Sequence, residues 1–193
     1  MPTQVDICNM ALADIGNPAI AAISSDTKAA NILKEKWQAT VDAVLADADW
    51  SFALRWVALT LQGVLGDGAL GPMAVYAYAY AKPVGFIRGV RMEDVESEFE
   101  EVGDQIHTDV DAAKIQYVRS MTDANKYPPL FVMCLAKRLA SEICVPLNQD
   151  KQKAATLFDV YRLTLDQAKL ANAKTQLRAK DETVDNSFLK ARD

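Results

Sequence analysis

Chemistry in this chain would have to be built from few groups. His107 is the only histidine, and the three cysteines are Cys8, Cys134 and Cys144. A nucleophile–base pair therefore has one base to use, no GxSxG elbow accompanies it, and the cysteines fall on faces expected to be buried. The plainer reading of His107 is a residue at the end of a strand. No CxxC spacing is present, which favours free buried thiols over a metal or redox site. The acidic run Glu93-Asp94-Val95-Glu96-Ser97-Glu98-Phe99-Glu100-Glu101 contains enough carboxylates for a glycosidase-type pair, with Glu98, Glu100 and Glu101 as candidates. Such a run is more often a solvated edge.

Two other stretches invite a ligand. The segment at 63–71 carries Gly63, Gly66, Gly68 and Gly71 but has no following Lys-Ser or Lys-Thr and does not fit GxGxxG, so it reads as a mobile loop rather than a phosphate cradle. Aromatic strand residues with Arg88, Arg91, Lys114 and Arg119 nearby suggest a stacking platform for single strands. A formal charge of −5 opposes that, because phosphate binding draws on a cationic surface. No cofactor or metal set is expected.

The elements that would position these groups follow from periodicity. At 193 residues and 50% hydrophobic, the chain suits one domain carrying an insertion. Its apolar runs are far shorter than the ~20 residues of a membrane span, so no membrane partner is expected. The first residues lack a basic stretch followed by an apolar one, which predicts no secretory leader and synthesis in the cytoplasm.

Val5, Cys8, Leu12 and Ile15 predict a helix from Gln4 ended by Gly16. Ser24-Ser25-Asp26 offers caps for a second helix, with Ala30, Leu33, Trp37, Val41 and Val44 on one stripe. Trp50, Phe52, Leu54 and Trp56 alternate at period two and predict an extended segment packed by its aromatic face.

"YAYAYAKP" at 76–83 reads as a strand with three tyrosines on one face and alanines on the other. Strands at 86–92, 99–107 (turning at Gly103-Asp104) and 113–119 complete a small antiparallel sheet of about four strands. A helix follows Pro128-Pro129 and is expected to close at Pro146, and the last runs from about Gln149 to Leu177. The expected fold is mainly α: a four-helix-bundle-like core over residues 1–177, a β insertion at about 50–120, and an extended charged tail at 178–193.

Several segments together resemble the tail tubular protein A family, the head-to-tail adaptors of short-tailed bacteriophages. "ALADIGNPAIAAI" (11–23) is similar to the family's small-residue helix end, Ile-Gly turn and apolar segment. "DTKAANILKEKWQATVDAVLADADWSFALRW" (26–56) ends in its Trp-x-Phe-Ala pattern at Trp50, Phe52 and Ala53. "YAYAKPVGFIRGVRM" (78–92) resembles its Tyr-x-Tyr-x-x-Pro strand and arginine-bearing strand, and "IQYVRSMTDANKYPPLFVMCLAKRLASEIC" (115–144) its tyrosine strand, Asp-containing turn and Ala-Leu-rich helix. The ending "NSFLKARD" looks like the family's close.

The resemblance covers nearly the whole chain and brings no catalytic set. It implies a virion protein of the tail neck, forming a dodecameric ring beneath the portal protein, joining capsid to tail, and lining a channel through which double-stranded DNA passes without specific binding. It places portal docking on Ser187, Phe188 and Leu189, whose two apolar side chains in a charged tail would otherwise pack back on their own bundle. Contact with the tail nozzle is expected from the tyrosine face or from the loop at Gly66, Asp67 and Gly68. The runner-up function is a wall-degrading hydrolase using the acidic run, and the third a small host-side interaction module.

Overall fold

Thr3 sets the start of the first helix. Its hydroxyl accepts the Asp6 N–H at 3.3 Å while the Asp6 carboxylate accepts the Thr3 N–H at 2.8 Å, a reciprocal cap that holds the Asp6 carboxyl below its ordinary range. Helix α1 spans Gln4–Ile15 and ends where Gly16 turns left-handed at φ 79, as expected. The computed structural model describes residues 2–65 and 75–189, with side chains as far as residue 173.

The chain divides into two compact units, Met1–Phe52 with Thr122–Asp193, and Ala53–Met121. The first holds α1, α2 (Lys28–Ala46), a 3₁₀ turn (Ala124–Lys126), α3 (Pro129–Asn148) and α4 (Lys151–Leu189). Thr27, rather than the preceding Ser-Ser-Asp, caps α2 by accepting the Ala30 N–H. Helix α3 is central: α1, α2 and α4 all pack against it. Its stripe Phe131, Leu135, Leu139 and Ile143 is buried, as are Leu33 and Val41 of α2 and Leu157, Tyr161 and Leu165 of α4, the helices that pack on it.

Pro146 lies inside α3 instead of closing it. Its missing N–H removes one bond in the last turn, and the helix ends three residues later at Gln149, which adopts φ 57. Asp150 then accepts the Lys153 N–H at 2.8 Å, so a two-residue turn reverses the chain into α4.

The second unit contains seven strands: β1 (Leu54–Ala58), β2 (Thr60–Val64), β3 (Tyr78–Ala81), β4 (Phe86–Met92), β5 (Phe99–Val102), β6 (Gln105–Thr108) and β7 (Lys114–Arg119). They form two antiparallel sheets, ordered β1-β7-β4 and β2-β3-β6-β5. Tyr80 and Ile106 from one sheet and Met92, Ile115 and Tyr117 from the other share one buried cluster.

This corrects the expected mainly α fold with one small sheet. Among the described residues the protein is an α+β fold, four α-helices and seven strands in two antiparallel sheets. The glycines at 63–71 predict a loop, yet β2 includes Gly63, which occupies a register shift opposite Ala79 where the ladder tolerates a glycine. The tail is corrected too, since α4 continues without a break through Leu189.

The tyrosine–alanine strand is central in its sheet, between β2 and β6, and both its faces are covered: Ala79 and Tyr80 are each buried. Tyr76 precedes the strand, so only Tyr78 and Tyr80 share its face, and the Tyr80 hydroxyl donates to the Val110 carbonyl at 2.8 Å.

Candidate interaction site

The reactive groups belong to different units. Cys8, Cys134 and Cys144 are buried in the helical unit, whereas His107 belongs to β6 of the sheet unit, its Nε2 lying 3.0 Å from Gln105 Oε1. Burial pushes the Cys8 thiol up to about 12 and the Cys134 thiol up to about 11. Thiols held protonated in this way are poor nucleophiles.

The acidic run is mostly engaged in holding turns and strands. Glu93 pairs with Lys114 at 3.0 Å, and Asp94 accepts from the Ser97 hydroxyl at 2.9 Å. Glu101 accepts from Lys82 at 2.9 Å and from the Gly89 N–H at 2.8 Å. Glu100 and Glu101 are consecutive on β5, so they project to opposite faces. The carboxylate pairing considered from sequence therefore does not form between them.

Glu98 instead lines a cleft of about 260 Å³ with Tyr76, Glu96, Ser97, Thr108, Asp109 and Val110. Asp109 is committed to the Ala77 N–H at 2.8 Å, and the Thr108 hydroxyl donates to the Glu98 carbonyl at 2.8 Å. Among the described residues no group of three His, Cys, Asp or Glu side chains converges to hold a metal.

The supposed stacking platform also divides. Phe86 and Tyr117 stack on each other at 5.6 Å, with Tyr117 buried in the cluster between the sheets and Phe86 packed against it. Trp56 alone of these aromatics is 49% exposed, with the Arg91 guanidinium 5.5 Å from its ring centre. Trp50 and Phe52, the other half of that period-two run, pack edge-on against Phe131 at 5.0 and 5.1 Å in the helical unit.

Sequence periodicity marks only the buried side of α4. Its outward side exposes Val160, Leu163 and Leu170, the two leucines 65% exposed and seven residues apart. The signal is legible in the sequence, where the same spacing continues at positions 177 and 184 with Leu and Val. Of the residues expected to dock on partners, Ser187, Phe188 and Leu189 form the last helical positions of α4, and their side chains lie outside the described residues. Gly66, Asp67 and Gly68 also lie outside them. Among the described residues no helix is long and apolar enough to cross a membrane. No protein-family model matches the sequence, and no curated protein matches it.

Proposed function

We propose that this protein is a structural adaptor of the bacteriophage head-to-tail neck, assembling as a dodecameric ring beneath the portal protein and joining it to the tail. The motif order from "ALADIGNPAIAAI" to "NSFLKARD" supports this reading. The single structural observation that supports it most is the reach of α4. That helix has 39 residues, about 58 Å, against 20 residues, about 30 Å, for the α3 it packs on. Among the described side chains its buried residues are Leu157, Tyr161, Leu165 and Ala168. A helix about twice the length of its partner has room for a second surface, and the adaptor reading assigns Phe188 and Leu189 to the portal.

The net charge of −5 suits a conduit, because a wall of the same sign as DNA keeps the duplex from sticking. Submicromolar binding of duplex DNA at low salt would count against this part of the reading. The test of the whole is mass photometry of the protein alone and with its cognate portal ring. A discrete, saturable complex that is lost on truncation after Asp181 is expected. Absence of association at every salt concentration would overturn the proposal, and Glu100→Gln would then be assayed for cell-wall turnover.

A further inference from the structure

We propose that the outward face of the β1-β7-β4 sheet, at Trp56 and Arg91, docks on the outward face of the β2-β3-β6-β5 sheet, at Glu100 and Val102, of another copy of this chain. The contact rests on the charges of the sheet unit alone; its closure into a ring rests on the adaptor reading. Ile115, Tyr117 and Met92 belong to the cluster between the sheets, so alternation puts Gln116 on the opposite side of β7, with its register partners Trp56 and Arg91. Arg91 Nε donates to Gln116 Oε1 at 2.9 Å, and the guanidinium lies over the Trp56 ring. In the same way Tyr80 and Ile106 point inward, while His107 and its register partners Ala79 and Glu100 face outward, with Val102 two residues after Glu100. The two outward faces lie on opposite sides of the shared cluster.

Charge indicates what covers them. Strands β1, β4 and β7 carry Arg55, Arg88, Arg91, Lys114 and Arg119 and no acidic residue, whereas β2, β3, β5 and β6 carry Glu100 and Glu101 and no lysine or arginine. Lys114 is answered by Glu93 and Glu101 by Lys82, but neither Arg91 nor Glu100 has an ion pair among the described residues, and both are exposed. Either face set against its own kind brings Arg91 to Arg91 or Glu100 to Glu100. One face on the other pairs the two charges and lays the half-exposed Trp56 ring beside the exposed Val102, an aromatic and arginine anchor of the kind that carries binding energy. A nucleic-acid strand fits this face less well, because it draws on several unpaired cations and on successive stacked bases. Since the contact joins two different faces, it is heterologous: each added copy leaves one face of each kind free, and copies add until the rotation closes.

Sedimentation velocity of the purified full chain without portal, at about 20 mM and about 500 mM salt, tests this. Association that grows past the dimer with protein concentration is expected at low salt, and its loss at high salt. Arg91→Glu and Glu100→Arg should each lower the apparent association constant about tenfold or more, with circular dichroism spectra as in the parent because both side chains are exposed. The double variant Arg91→Glu/Glu100→Arg should recover association, since each swapped charge again meets its opposite, and a merely misfolded chain would not recover. A parent that stays monomeric at low salt, single variants that associate like the parent, or a double variant that does not recover overturns the proposal. Association that stops at a dimer would mean that like faces meet, and overturns it too. Fluorescence anisotropy with a labelled oligodeoxythymidylate is run alongside; binding that is lost in Trp56→Ala would assign the face to single strands instead. A portal complex unchanged in both single variants would overturn the contact but leave the adaptor reading intact, whereas charge-dependent association without any portal binding would do the reverse.

Discussion

The hydroxyl of Tyr161 on α4 donates to Asp47 Oδ2, the residue that ends α2, at 2.5 Å. Arg138 of α3 lies over the same ring, 5.5 Å from its centre, and also donates to Glu142 at 2.8 Å; Glu142 in turn lies 3.0 Å from the Thr40 hydroxyl of α2. Three helices are therefore joined by one polar seam beside an apolar core. Tyr161→Phe keeps the ring and removes only the donor. Asp47 is exposed and regains water, so the expected loss is about 1 kcal/mol in urea unfolding. A loss near zero would mean that the hydroxyl contributes only orientation.

Burial first, and the Asp47 hydrogen bond second, raise the Tyr161 hydroxyl well above its ordinary value of 10.0, and burial raises Tyr127 as well. Cys8 moves in the same direction, from 9.0 to about 12. The unfolded chain therefore releases these protons at a pH where the folded chain still holds them. The resulting stability is fully present below about pH 9 and declines as pH rises, by up to ~1.4 kcal/mol per pH unit for each group. Urea midpoints between pH 8 and 11 should be level at first and then fall, less steeply in Tyr161→Phe. A midpoint rising with pH in that range would contradict the assignment. A thiol reagent at pH 8 should leave all three cysteines unmodified until denaturant is added.

Gly89 on β4 is held by a close approach. A Cβ there would lie 2.5 Å from Phe99 Cε2 and 3.1 Å from Ile115 Cδ1. Phe99 is packed against the cluster between the sheets, so its ring must rotate out of place. Gly89→Ala should cost the sheet unit about 1–3 kcal/mol by overpacking, seen as a lower thermal midpoint with the α-helical signal retained until higher temperature. An unchanged midpoint would show that the ring moves freely.

Local chemistry made parts of this fold readable. Gly16 and Gly103 marked a helix end and a hairpin because both need positive φ, and the structure gives them φ 79 and 58. Long-range pairing was not readable in the same way. The β2 strand lies next to the glycine-rich stretch, and its place in a second sheet depends on Tyr78 and Tyr80, many residues later. The acidic run looked like a carboxylate pair in one dimension, yet strand geometry alone sends Glu100 and Glu101 apart. The outward leucines of α4 do not stand out in the sequence, because the buried stripe, at three- and four-residue spacing, accounts for the helix without them.

The run from Trp50 to Trp56 shows the same limit and yields the sharpest contrast between two like residues. Alternation at period two implied one aromatic face, but period two reports only which side chains share a side, not what they meet. Trp50 is 3% exposed, donates its indole N–H to the Val44 carbonyl at 2.8 Å and meets Phe131 edge-on, so it is a core residue of the helical unit. Trp56 lies on β1, half exposed, under Arg91. Trp50→Ala should therefore cost about 3–5 kcal/mol, through the cavity and the lost ring contacts. Trp56→Ala forfeits a partly solvated cation–π contact and should cost under ~1 kcal/mol. Chemical unfolding of the two variants side by side measures the difference. Equal losses would mean that Trp56 supports the fold as much as Trp50 does, and the division of this segment between helical core and sheet surface would have to be redrawn.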